Sequence, residues 1–258
     1  VDVELSDADD EDSESLLNDD LQLDREEYVV PLIIEGRQLD MYTGYIKQKK
    51  EILEQFTTNP RNFSSLATIE GILAYFRAIE THIDLVFAEA EADAPTGGEV
   101  SSTQTDFAVQ FGIENSAKFR FLHALFDELE GYGTHVVLVT EREEEALFHI
   151  LEAFCKAKSI VYNIPTRALQ AELSFDRACV TIIPSDASIP ITTRHPDVFI
   201  CLDGVQEASK IRQKAWGQSP GFDLVPILHL VIPRTVGHIE RYISPVLSKR
   251  DRMHTVLA

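Results

Sequence analysis

Basic side chains are scarce in this chain: 23 Lys and Arg stand against 43 Asp and Glu, for a formal net charge of −20. A protein that grips a phosphate backbone does so with clustered cations that release counterions. Such clusters are short and few, chiefly Lys47, Lys49 and Lys50 and the end around Lys249, Arg250 and Arg252, so a nucleic-acid footprint is poorly supplied. Cysteine is rarer still. Cys155, Cys179 and Cys201 are odd in number, lack metal-ligand spacing and sit in apolar segments. They exclude a disulfide framework and read as small core hydrophobes in a reducing compartment. No apolar run nears the ~20 residues of a membrane helix, and no signal peptide opens the chain. A soluble intracellular protein is expected, and the missing initiator Met points to a segment of something longer.

Catalytic signatures are missing as well. No G-x-x-x-x-G-K-S/T loop and no D-E-x-H box occurs, so there is no phosphate cradle and no hydroxyl for Mg²⁺. ATP hydrolysis by this chain alone is not expected. No G-x-S-x-G elbow marks a nucleophile. His82 has no second His, Cys or carboxylate at ligand spacing, so it reads as a helix-surface or packing residue. His195 reads as a turn residue ahead of a strand. No catalytic residue, cofactor or metal site is expected.

The acid is concentrated at one end. Residues 1 to 27 hold 13 acidic side chains against Arg25 alone, a composition too charged to fold by itself. Leu16, Leu17, Leu21 and Leu23 interrupt it with helix-compatible spacing. The segment is therefore either a solvated tail or a docking peptide that orders on a groove.

Beyond the tail, Tyr28 to Ile34 is a short strand or extended segment. Gln38 to Phe56 has apolar residues at helical intervals and is stopped by Asn59 and Pro60; a second helix runs from Ser65 to about Ala90. Residues 95 to 114, with Gly97, Gly98 and a Ser/Thr/Gln-rich run, read as a flexible loop in which Thr103, before Gln104, is a minimal kinase target. From Asn115 helices and short apolar β-branched runs alternate. Helices are expected over 115–129, 141–157, 205–216 and from Thr235, with strands at His135–Thr140, Ile160–Tyr162, Ala178–Ile183, Val198–Leu202 and Pro226–Ile232. That alternation predicts an α/β fold with a parallel sheet covered on both faces. The expected division is an acidic tail (1–27), a helical extension (28–94), a loop (95–114) and a sheet lobe (115–258).

Three stretches carry a resemblance to a known family. Asn115 to Leu129 is similar to the S-G-K-x-x-x-L-x-x-L-L-x-x-L helix that opens the C-terminal RecA-like lobe of Swi/Snf-type DNA translocases. Asp197 to Asp203, Ile211 to Gln218 and Ile227 to Glu240 look like the strand, R-x-H-R-x-G-Q segment, strand and T-V-E-E-x-I helix that close it. Leu73 to Ile83 resembles the L-R-K-I-C-N-H-P segment ahead of the lobe, with Ile83 where the family has Pro, which would let the helix continue. The version of the lobe it looks most like is the degenerate one in subunits two and three of the fungal class II histone deacetylase complex, a module shared with a fission-yeast telomere (shelterin) adaptor.

The resemblance implies a RecA-like, helicase-C-like lobe with a helical extension ahead of it. It places Arg212 at the first family arginine and Ala215 at the second, where the usual charge-stabilising finger is lost. Ser185, Arg212, Gly217 and Gln218 are then remnants of a nucleotide site. The family's glycine-rich S-T-R-A-G-G-x-G-I-N-L segment is replaced by Ile183 to Pro190, with two prolines and no glycine. What is implied is a nuclear, non-catalytic adaptor that scaffolds or recruits a histone deacetylase at heterochromatin or telomeres. Its partners would be proteins of a deacetylase or telomere-protection complex, with self-association left open. The alternative is a nucleic-acid-binding module kept from the translocase, with a basic groove built from Lys118, Arg120, Arg194, Lys210, Arg212 and Lys214.

Overall fold

The computed structural model describes residues 27–91, 102–167, 177–187, 194–204, 211 and 225–258. Among them six strands form one sheet: β1 (Glu27–Pro31), β2 (His135–Thr140), β3 (Val161–Asn163), β4 (Cys179–Pro184), β5 (Val198–Cys201) and β6 (Ile227–Val231). Their order is β1-β6-β5-β2-β4-β3, and every pairing is parallel. The strands are short and almost wholly apolar because both faces are covered. On β2, Val136 and Leu138 join one core, while Val137 and Val139 join the core on the other face.

The first face is covered by α5 (Ala117–Glu128) and α6 (Glu145–Ala157). Phe119, Leu122 and Phe126 of α5 meet Phe148, Leu151 and Phe154 of α6 over Val180, Ile182 and Ile200. The apolar stripe of each helix repeats at three and four residues, which turns one side of each toward the sheet. On the second face, buried Ile211 packs with Phe199, Cys201 and Ile227. All three cysteines are buried and free.

A further core lies ahead of the sheet in sequence. It is built by α1 (Gly36–Thr58) and α2 (Leu66–Thr81), and two helices from the other end of the chain join them: α7 (Val236–Glu240) and α8 (Lys249–Leu257). Tyr42, Phe56, Ile69, Leu73 and Phe76 pack there with Val236, Ile243, Met253 and Val256. The extension and the chain's last helices thus share one apolar interior.

Three expectations need correction. The helix expected over Ser65–Ala90 breaks at His82, whose backbone is extended (φ −160°, ψ 136°), and resumes as α3 (Asp84–Glu91). Proline is not what breaks it. His82 and Ile83 are both drawn into the interior, where the Ile83 amide donates to Ser116 Oγ (3.4 Å), the Asp84 amide donates to His82 Nδ1 (3.1 Å), and the imidazole stands edge-on to Phe119. The loop expected at 95–114 contains α4 (Ser102–Glu114), whose Val109 and Ile113 pack into the sheet core; tertiary burial overrides a weak local preference. The segment Tyr28–Ile34 supplies β1, an edge strand of the sheet rather than part of a separate extension. The basic group at 249–252, to which the sequence pattern assigns no element, opens a helix, with Ser248 Oγ accepting the Asp251 amide (3.2 Å) at its start.

Pro31 is compatible with β1 only because of its position. The Leu32 amide donates to Val231 O (2.8 Å), and backbone groups alternate along a strand. The Pro31 nitrogen therefore faces away from β6, where no ladder bond is lost.

Candidate functional site

In open parallel sheets the ligand crevice lies beyond the carboxyl ends of the strands. Here that edge is formed by the residues after β2, β4, β5 and β6. The N-terminal turn of α5 brings Lys118 to it, and the last turn of α2 brings Glu80 from the helical extension.

Lys118 is buried, and its Nζ donates to Leu202 O at 2.6 Å. Burial lowers its pKa, while the charges of Glu80 and Asp203 raise it. Asp203 Oδ1 accepts the Glu141 amide (2.8 Å). Burial pushes this carboxyl up to about 6, with Lys118 and the Glu141 amide pulling the other way. Glu80 is buried too, and its Oε2 lies 2.9 Å from Thr235 Oγ1 and 3.1 Å from the Gly237 amide. Burial pushes Glu80 up to about 6 against the opposing effects of Lys118, Thr235 and Gly237. Tyr42 OH accepts the Val236 amide (2.9 Å) and donates to Glu80 Oε1 (3.4 Å). Its phenol is raised by burial and then by Glu80.

Glu80 therefore does the work of a cap for α7. A short helix leaves its first amides without internal partners, and a carboxylate from α2 and a phenol from α1 meet two of them. Gly237 makes the approach possible: a Cβ there would stand 2.6 Å from Glu80 Oε2. Gly204, at φ +68°, likewise lets the chain leave β5 beside Glu141, where a Cβ would come within 2.7 Å of the Glu141 Cβ.

Around these groups is a cavity of about 30 Å³, lined by Arg77, Glu80, Lys118, Gly204, Gly237 and Arg241 among others. That is room for about one water, against the several hundred Å³ of a typical small-molecule site. Its outer wall is tied by Arg77, which pairs with Glu240 through Nε–Oε2 (2.8 Å) and Nη2–Oε1 (2.5 Å). Gln38 adds a further tie, with Nε2 donating to Ile79 O (2.7 Å) and Oε1 accepting the Ala117 amide (2.9 Å). Among the described residues, the crevice is filled by the chain's own side chains.

A second polar group fixes the edge strand. His229 Nε2 lies 2.5 Å from Glu27 Oε1, and its Nδ1 lies 3.0 Å from Arg241 Nη1. Arginine only donates, so Nδ1 accepts and the Nε2 hydrogen is given to Glu27. β1 is thus clipped to β6 and to the residue that follows α7.

Of the residues singled out from sequence, Ser185 is an internal turn residue: its Oγ donates to Glu141 O (2.7 Å) and its amide to Thr140 O (2.8 Å). Arg212, Gly217 and Gln218 lie outside the described residues, as do Leu16, Leu17, Leu21 and Leu23. Thr103 is in the first turn of α4. The basic groove is not assembled by its described members. Lys118 is buried, Arg120 pairs with Glu35 (3.1 Å), and Arg194 donates to Gly133 O and stands 3.6 Å from Asp197. Lys210, Arg212 and Lys214 lie outside the described residues. Within the other basic groups, Lys249 pairs with Glu70 (2.7 Å), Lys50 with Glu54 (3.6 Å), and Arg250 donates to the carbonyls of Pro60 and Phe63. Sequence reasoning missed Glu80, Tyr42 and Asp203. The signal for Glu80 was a carboxylate continuing the stripe Ile69, Leu73, Phe76 at helical spacing.

No family model and no curated protein matches the chain. Solved structures do. A chain of the yeast class II Hda1 HDAC complex superimposes with a TM-score of 0.68 at 18% identity, covering 90% of this chain and 78% of that one. The C-terminal part of the Fun30 ATPase domain gives 0.57 at 12% identity, covering 90% and 96%. A chain from the structure of fission yeast Ccq1 and Tpz1 gives 0.54 at 15% identity, covering 89% and 81%. The fold is that of a RecA-like helicase lobe. Its neighbours include both an ATPase lobe and subunits of multiprotein complexes.

Proposed function

We propose that the chain is a non-catalytic adaptor of a nuclear chromatin-silencing assembly, scaffolding or recruiting a histone deacetylase complex at heterochromatin or telomeres. The observation that carries this reading is that, among the described residues, the chain's own side chains fill the carboxyl-end crevice. Glu80, Lys118, Asp203 and Tyr42 occupy the place where a RecA-like lobe would meet a ligand, and the helices of the extension hold them there. A lobe sealed in this way keeps its rigidity and its outer surfaces, which suits protein docking. The likeness to chains from a deacetylase complex and from a telomere complex gives the assembly its character. In this reading residues 28–94 supply an edge strand of the sheet and then the helical extension that closes the lobe, 115–258 are the rest of the lobe, and Arg212, Gly217 and Gln218 are remnants without a nucleotide role.

The alternative, a nucleic-acid module, is disfavoured because the described cations proposed for its groove are buried, as Lys118 is, or stand beside acids, as Arg120 and Arg194 do. The deciding experiment is reconstitution of the full chain with purified subunits of a class II deacetylase complex, followed by size-exclusion chromatography. Co-elution at defined stoichiometry is expected, with no ATP turnover above background. Independent elution combined with salt-sensitive duplex DNA affinity would replace the adaptor reading with the alternative.

A further inference from the structure

A groove of about 890 Å³ runs between α3, α4 and α6, lined by Arg37, Phe87, Ala108, Phe111, Ala146 and Ile150 among others. Arg37 sets its floor: the guanidinium lies 5.7 Å from the centre of the Phe87 ring and 5.4 Å from that of Phe111, close enough to hold both by cation–π attraction. Phe87 remains 39% exposed. Phe107, one turn before Phe111 on the same side of α4, is 75% exposed. Large apolar groups left in water around a concavity mark a docking surface.

The rim has a sign. Asp84 and Glu145 line the groove, and Glu141, Glu143 and Glu144 are exposed where the chain enters α6, against Arg142 alone. Arg37 keeps its positive charge beneath the aromatic rings, but Asp84 and Glu145 outnumber it in the lining, and His149 stands beside Glu145 (3.5 Å). The chain's own apolar cluster at Leu16 to Leu23 is a poor occupant, because it is embedded among the 13 acidic side chains of residues 1–27 and the rim repels it.

We infer that this groove docks an amphipathic helix of a partner protein, with an apolar face framed by Lys and Arg. Apolar side chains at i, i+3 or i+4, and i+7 fill the space between Phe87, Phe111 and Ile150, and the flanking cations meet Asp84 and Glu145. The inference rests on the adaptor reading and names the surface that reading uses.

The test is selection of a random 16-residue peptide library on the full chain, then binding of a fluorescein-labelled copy of the most enriched peptide. Two variants are compared with the parent, Phe107→Asp and Glu145→Lys. Both change exposed side chains, and circular dichroism verifies that each folds. Enriched peptides are expected to carry the helical apolar spacing and a net positive charge. Affinity should fall about tenfold in Phe107→Asp and about threefold in Glu145→Lys, with the second loss shrinking at high salt. Acidic enriched peptides, no enrichment, or affinity unchanged in both variants would overturn the inference. Tight binding of a synthetic peptide of residues 1–26, or self-association of the chain, abolished in either case by Phe107→Asp, would give the groove another occupant and overturn it too. Should the Phe107→Asp chain still co-elute with deacetylase subunits, the groove falls and the adaptor reading stands. Should the parent chain fail to co-elute, the adaptor reading falls, and the peptide selection still decides the groove.

Discussion

Glu80 shows how one side chain can commit a surface. It faces Thr235, Gly237 and Tyr42 and shares the crevice with Lys118, so removing it takes the acceptor from three donors and leaves a buried cation less compensated. Glu80→Ala should lower stability by about 3–5 kcal/mol, measured by urea denaturation. Adding Lys118→Met should recover part of that loss, and a double-mutant cycle with no coupling would disprove their electrostatic link. Gly112 is a second such position. A Cβ there would lie 2.6 Å from His82 Nε2, which is how α4 comes to rest on the break between α2 and α3. Gly112→Ala is expected to cost about 1–3 kcal/mol, seen as a lower denaturation midpoint; an unchanged midpoint would mean α4 yields freely.

At the scale of elements, the packing of α2 and α5 against the strand ends makes stability depend on pH in two opposed ways. Burial pushes Glu80 and Asp203 from the usual carboxylate range up to about 6. Their contribution is complete below the unfolded values and is lost as pH rises through about 6. His82, at the end of α2, is lowered by burial from 6.5 to about 4, and burial lowers His135 in β2 as well. These two stay neutral in the fold while the unfolded chain takes up protons, so their share is lost as pH falls below about 6.5. The pairs oppose each other across one window, which flattens the profile. In Glu80→Gln one stabilising uptake is gone, and its urea midpoint should fall more steeply than the parent's between pH 7 and pH 5. Parallel profiles would show that Glu80 does not titrate there.

For the whole molecule, the sheet, the extension and the chain's last helices form a mutually dependent set. β1 precedes the extension and is clipped by His229, while Val236, Ile243, Met253 and Val256 fill the extension's core. A fragment of residues 115–258 therefore lacks an edge strand, the Glu80 charge that acts on Lys118 and the cover for α7 and α8. It should not unfold cooperatively by circular dichroism, whereas residues 27–258 should. Cooperative melting of the short fragment would make the lobe an independent domain. Charge is also a property of the whole. With Lys118 buried and Arg120 and Arg194 beside acids, residues 27–258 should bind duplex DNA no tighter than the non-specific range of roughly 10⁻⁴ to 10⁻⁶ M, read by fluorescence anisotropy.

Local pattern determined much of this architecture. The strands β2, β4, β5 and β6 are short β-branched runs that only a doubly covered parallel sheet can bury, and α1, α5 and α6 display their apolar faces at helical spacing. Those signals lie within a few residues of one another, so they survive in a linear reading. What tertiary structure alone decided depends on residues far apart in the chain. The break at His82 exists because Ser116, Phe119 and Gly112 make the interior favourable for it, not because of a local breaker. Tyr28 to Pro31 becomes a sheet strand because β6 offers an edge about 200 residues later. The crevice closes because Tyr42, Glu80, Lys118 and Thr235 meet there. Each is an ordinary surface-type residue by composition, and only folding removes the water that would otherwise solvate its charge or hydroxyl.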